Sequence, residues 1–389
     1  MALFSGTSRT PVNQLFFKAL LPSMASLVFL SSCSTIEPVH KDTDINYAES
    51  LSPMVHKFLE ATKPNRTVGT QGHEAAFEFI KNQFDEIATA SKGRVIIHEF
   101  MPDIDFARKN YQTDFDNLVK AKYPPSSPVY KKWNQFTLQA IDFIERFRNI
   151  KGRNLILEIP GKKLPNEVIY VGAHYDTIDN DPNSLRFLPL LPAPGADDNA
   201  SGIAALLVAA RELRNEHPDR TLRFVAFDYE EIFFLGSYAL AKDLSSLKPR
   251  WMRLNEQTGG LINLEMIGWS KTKIENHPIL KLYTREKTQI GADQDLSLTL
   301  ALNRAGFLLK TPLKLEVLQN GFNRSDNWSF WQKSFSAICI SEDWENDFNK
   351  THYHTPTDTP DTLNYDYLKE VTKLLVESLS EVARPGALK

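Results

Sequence analysis

NLILEIPGKKLPNEVIYVGAHYDT, residues 154–177, decides the fold class of this 389-residue chain. It holds two short apolar runs, Asn154–Ile159 and Val168–Ala173, bounded by Pro and Gly as buried strands are. Downstream, Ser201–Arg214 is rich in Ala and Leu at helical spacing. Leu222–Asp228 (LRFVAFD) and Leu261–Met266 (LINLEM) read as further strands, with a helix over Gly236–Leu244 between them. Asp295–Gly306 is predicted helical, Ala337–Ser341 (AICIS) a strand, and Tyr367–Val382 a closing amphipathic helix. Upstream, Ser52–Ala61 and Glu74–Ala90 have helical spacing; the second places Ala76, Phe77, Phe79, Ile80, Phe84 and Ile87 on one stripe, behind the punctuation of Gly69 and Gly72. Arg94–Phe100 (RVIIHEF) is a predicted strand. Such alternation predicts an α/β fold, a three-layer sandwich with a mostly parallel central sheet and helices on both faces.

Residues 103–151, aromatic and charged with a break at Pro124-Pro125, predict a largely helical insertion. Core packing is the expected use of its Tyr111, Phe115, Trp133 and Phe136, with pocket lining the alternative. The 45 Lys and Arg residues against 48 Asp and Glu leave a formal charge of −3, which offers no electrostatic case for nucleic acid as a partner. A 42% hydrophobic content supports one sizeable core, and no linker or repeat divides residues 51–389, so one domain with an insertion is expected.

Two cysteines, Cys33 and Cys339, are too few for a disulfide framework, although they could pair with each other. Arg9 and Lys18 precede a short apolar run, Ala19–Leu30, that ends in LSSC at Cys33. The run falls short of the roughly 20 residues of a membrane span and suits a signal peptide over residues 1–32. LSSC resembles a bacterial lipobox, which implies cleavage before Cys33 and lipidation of its thiol; an ordinary secretory signal whose cleavage region contains a Cys stays open. Residues 33–50 would then be a lipidated tether, polar from Thr35 to about Asn46. With Ser34 after the cysteine, resemblance to Gram-negative lipoproteins implies a bacterial cell envelope location, anchored in the outer membrane and facing the periplasm.

The unusual polar residues cluster where strands end. His174 and Asp176 follow VIYVGA, Glu230 and Glu231 follow LRFVAFD, and Glu265 closes LINLE. Ligands of open α/β sheets bind beyond the carboxyl ends of the strands. Asp197 and Asp198 precede the Ala-rich helix, and His354 lies in the late loop YHTPTD. Singly, most have a plain structural use: a strand-end histidine in the core, an Asp N-cap, a solvated Glu-Glu turn. Glu265 does not, because a buried unpaired carboxylate is costly and a metal removes that cost. Together these residues predict a metal site.

The ordered segments HYDT, PGADDNASG, DYEEIFFLGS, NLEMIG, SDNWSF and YHTPTDT, with the opening NRTVGTQGHEAAFEFI, resemble the co-catalytic zinc aminopeptidases of clan MH over roughly residues 65–375. The resemblance implies a zinc exopeptidase with two ions, acting on the N-terminal residues of peptides through a metal-bridging water. His174 and Glu265 would hold one zinc, Glu231 and His354 the other, and Asp198 would bridge them. Glu230 would be the general base, Asp176 would accept a hydrogen bond from His174, and Asp197 would be a neighbour only. Two departures stand out. Glu265 occupies a position where the family usually has Asp, and Ser325-Asp326-Asn327 replaces a late Ser-Asp-His, leaving Asp326 without a role. Glutaminyl cyclisation, carboxypeptidase action and a non-catalytic envelope binding module are the alternative functions.

Overall fold

The computed structural model describes residues 47–181, 185, 192–246 and 251–387. The expected signal peptide and Cys33 lie outside the described residues. The last residues of the expected tether, from Tyr47, already belong to helix α1 (Tyr47–Ala61). Tyr47 and Leu51 are buried there and commit this end of the segment to the core.

Among the described residues eight strands form one sheet: β1 (Arg94–Phe100), β2 (Gly152–Ile159), β3 (Leu164–His174), β4 (Arg220–Phe227), β5 (Gln257–Glu265), β6 (Ile279–Thr284), β7 (Lys314–Gln319) and β8 (Ala337–Ser341). Their order is β1-β2-β4-β3-β5-β8-β6-β7. The central β4-β3-β5-β8 strands are parallel, as are β6 and β7, whereas β1-β2, β2-β4 and β8-β6 pair antiparallel. The parallel sheet of the sequence reading is therefore the centre of a mixed one. β6 and β7 escape that reading because ILKLYT and KLEVLQ interleave polar residues with apolar ones, as sheet margins do.

Side chains alternate across the sheet, which makes the three layers. Ile169, Val171 and Ala173 of β3 face α1, α2 (Gln71–Ser91), α5 (Gly202–Leu213), α7 (Ala292–Leu309) and α9 (Tyr365–Val382). Val168 and Tyr170 of the same strand face α6 (Leu235–Ser246) and α8 (Asn327–Gln332). Gly172 sits between them at a close approach: a Cβ there would meet Cε2 of Phe227 at 2.2 Å. Gly172→Ala is expected to lower stability by about 1–3 kcal/mol through overpacking, read as a reduced urea midpoint at unchanged slope.

The insertion is helical, α3 (Ile104–Phe115) and α4 (Pro128–Glu145) around a π-turn at Asp116–Lys120. Ile104, Tyr111, Phe136 and Phe143 form a second core with Tyr229, Ile232, Phe233 and Phe234. Phe115 is buried as well, and Trp133 packs half-buried against that core. The Tyr111 ring meets Phe233 edge-on at 4.5 Å, so the insertion braces the segment that follows β4.

The chain passes from β3 through α5 to β4 on one side of β3, then through α6 to β5 on its other side. That reversal opens a crevice at the carboxyl end of β3, where this topology places ligands.

Candidate metal centre

His174 is the last residue of β3 and Glu265 the last of β5; Glu230 and Glu231 follow β4. Asp198 lies in the irregular turn Ala196–Ser201 before α5, and His354 in a late loop. The crevice gathers all six, together with Asp176, and none is more than 5% exposed.

The geometry resolves into two half-sites. His174, Glu230 and Glu265 offer donor atoms that lie within 4.8 Å of one another, and so do Asp198, Glu231 and His354. Asp198 stands between the histidines: Oδ1 is 3.1 Å from His174 Nε2, and Oδ2 is 3.1 Å from His354 Nε2. Glu231 Oε2 is 3.0 Å from His354 Nε2. Glu265 Oε2 is 3.5 Å and Glu230 Oε2 3.9 Å from His174 Nε2.

Each donor is aimed by a neighbour. The Asp176 backbone carbonyl lies 3.2 Å from His174 Nδ1, which turns Nε2 into the cluster. The expected carboxylate contact is the longer one, with Asp176 Oδ1 at 3.7 Å from that nitrogen. Its two oxygens also accept the backbone N–H groups of Glu230 (3.0 Å) and Glu231 (3.1 Å), because the tight turn after β4 presents both to them. His354 Nδ1 hydrogen-bonds Asn180 Oδ1. The Ser325 hydroxyl donates to Glu265 Oε2 at 2.8 Å and accepts from Asn263 at 2.8 Å. Asp358 accepts the N–H groups of Asp197 and Asp198 at 2.9 and 3.0 Å. Asp197 points away from the cluster, accepting from Gly268 N–H and Asn349 Nδ2 at 2.9 Å each, as its expected place outside the ligand set requires. Asp326 is buried with neither carboxylate oxygen hydrogen-bonded, and burial pushes it up to about 8.

Arg66 ties the two loops that carry His174 and Asp198. Its buried guanidinium donates to the carbonyls of Tyr175 (2.7 Å), Pro194 and Gly195 (3.0 Å). Burial pulls it down to about 10 against the pull of Asp198, Asp358, Asp176 and Glu231. Asn180, Asp358, Arg66 and Ser325 fall within segments quoted for the resemblance or directly beside them. Spacing assigns them no role, since each acts on a residue distant in the chain.

Burial raises Glu230 and Glu231, and Glu265 lies beside them as a further carboxylate. Burial would also raise Asp198, yet the two imidazoles hold it well below the usual range. Burial opposes charging His354, but Glu231 and Asp198 hold it up to about 9. His174 Nε2, Asp198 Oδ1 and Glu231 Oε1 are buried without a hydrogen-bond partner. Orphaned donors among crowded carboxylates are costly unless a cation satisfies them. Imidazole and carboxylate groups in this number fit zinc.

Residues 154–379 match the description Peptidase family M28. This chain belongs to that family. It is 28% identical over 246 residues to leucine aminopeptidase 1 of Arthroderma otae, an alignment covering 61% of this chain and 59% of that one. The matches span 64%, 59% and 49% of the length of three curated relatives. Among solved structures, BSAP, a zinc aminopeptidase from Bacillus subtilis, superposes with a TM-score of 0.60 at 18% identity, covering 88% of this chain and 98% of that one. A glutaminyl cyclase from Bacteroides thetaiotaomicron superposes with a TM-score of 0.56 at 18% identity, covering 86% and 97%. At such identities these two likenesses speak for the fold of this M28 chain, and its chemistry rests on its own residues.

Proposed function

We propose that this chain is a zinc-dependent aminopeptidase that hydrolyses the N-terminal residue from peptides. The observation that carries the reading is Asp198, whose two oxygens each address a different histidine. His174 and Glu265 would hold one zinc, Glu231 and His354 a second, with Asp198 shared between them. When bound, the ions would acidify the attacking water and polarise the scissile carbonyl.

Glu230 is the general base in this reading. Its neighbour Glu231 is turned to His354, while Glu230 Oε2 lies 3.9 Å from His174 Nε2 and is left to move a proton. Raised by burial, it takes a proton from water more readily than an exposed glutamate, and returns it to the leaving amine. Asp176 holds the backbone of both glutamates and so sets where that proton is received. A shallow recess lined by Ile178, Ala193, Gly195, Glu231, His354 and Thr355 adjoins the second half-site.

Metal quantification with a scan of chromogenic amino-acid amides tests the reading. Zinc near two equivalents and release of free amino acids are expected. One tightly held zinc with cyclisation of N-terminal glutamine would instead favour the cyclase chemistry, and a metal-free active protein would end the proposal. Two further results are expected. Chelation abolishes amidase activity and lowers the melting temperature, both restored by zinc, because the buried carboxylates lose their counter-charge. Zinc loading at pH 7 releases protons, since His354, at about 9 in the cation-free chain, must give up its proton to ligate. Calorimetric titration in two buffers of different ionisation enthalpy measures that release.

A further inference from the structure

Helix α7 carries apolar residues on the side that faces away from the protein. Leu296, Leu298, Leu300 and Leu302 recur every second residue, a spacing that on a helix of 3.6 residues per turn must supply both faces. Leu298, Leu302 and Ala305 are buried against the sheet and α9. Leu300 is 68% and Phe307 83% exposed, seven residues apart and hence on one outer stripe. Arg304 lies between them, 53% exposed but paired with Glu381 Oε2 at 3.2 Å, and Lys310 caps the helix end. Ile290, just before the helix, is 92% exposed.

We propose that the outer face of α7 rests on a phospholipid surface, Leu300 and Phe307 entering the headgroup–acyl boundary and Lys310 meeting lipid phosphates. The occupant is chosen by where the remaining chain leads. Cys33, the candidate lipid attachment, is separated from Tyr47 by residues 34–46. Thirteen residues reach about 45 Å at full extension. Tyr47 opens α1, and α1 and α7 both pack on α9, so the tether starts from the layer that bears the stripe. Two side chains on a convex ridge are far less than the roughly 800 Å² per partner of a stable protein interface. They suffice for a lipid surface when a tether keeps the helix beside it. No helix among the described residues is long and apolar enough to cross a membrane, so the contact is with the surface. The proposal rests on the lipid anchor at Cys33 and is independent of the peptidase reading.

The test uses the full lipidated chain on vesicles of phosphatidylethanolamine and phosphatidylglycerol that carry a nitroxide quencher in the acyl region. A fluorophore is placed on Phe307→Cys and, as control, on Leu254→Cys, a position 87% exposed before β5. Cys339 is buried and does not compete for label. Loss of most emission at 307 with none at 254 is expected, and the Leu300→Ser label-bearing variant should recover it while still floating with the vesicles. Three results overturn the proposal: full emission at 307 in vesicle-bound protein, a chain that fails to float, or quenching replaced by cross-linking of 307 to a second copy. Amidase activity, measured on the same samples, reports separately on the peptidase reading.

Discussion

Glu230→Gln is expected to lower amino-acid amide hydrolysis by about 10²–10⁴-fold, the range of a positioned general base, while zinc content stays unchanged. The substitution keeps size and polarity and removes only the group that receives the proton. Glu230 is suited to this test because its carboxylate is the most remote from His174 of those facing it, at 3.9 Å against 3.5 Å for Glu265 and 3.1 Å for Asp198. Its backbone N–H is anchored on Asp176, so the turn has no cause to move. Steady-state kinetics beside metal analysis decides the matter. Retained activity would remove Glu230 from the chemistry, and loss of zinc together with activity would make it a ligand instead.

Asp198→Asn is expected to have the second large effect, the loss of zinc from both half-sites and with it all activity. Asparagine matches the shape of aspartate but brings one amide NH₂ where a lone pair is needed and gives up a negative charge. Because each Asp198 oxygen faces a different histidine, no orientation of the amide can serve both. The loss of zinc affinity should exceed the ~10–100-fold that residues supporting a ligand supply. The backbone of the turn is held by Asp358 and by Asn199, whose side chain donates to the Leu264 carbonyl at 2.8 Å, so the far-ultraviolet circular dichroism should persist. Competition with a zinc-binding dye measures the affinity; near-normal binding would refute the shared role of Asp198.

Much of this was legible before any coordinates. The runs NLILEI, VIYVGA, LRFVAF and LINLE are mainly apolar without strict alternation, as strands covered on both faces are. Glu265 stands out because it ends such a run with a charge. β6, β7 and α8 were not legible, since they lie toward the sheet margin or in a single short turn of helix, where burial no longer dictates the pattern. The further partners of Asp176 were not legible for a related reason. Two residues from His174 in the chain, its carboxylate is drawn to the N–H groups of Glu230 and Glu231, fifty-odd residues away, which no spacing reveals.

Local composition, then, determined which segments are strands and helices and which strand ends carry ionisable groups, because periodicity and the cost of burying charge act within a few residues. Tertiary structure alone decided that β4 and β5 flank β3, so that three strand ends and two loops converge on one crevice. It also decided that Arg66, Asn180, Ser325 and Asp358 aim the donors there. Those are relations between residues far apart in sequence, fixed by packing and by hydrogen bonds that form only when the sheet has closed.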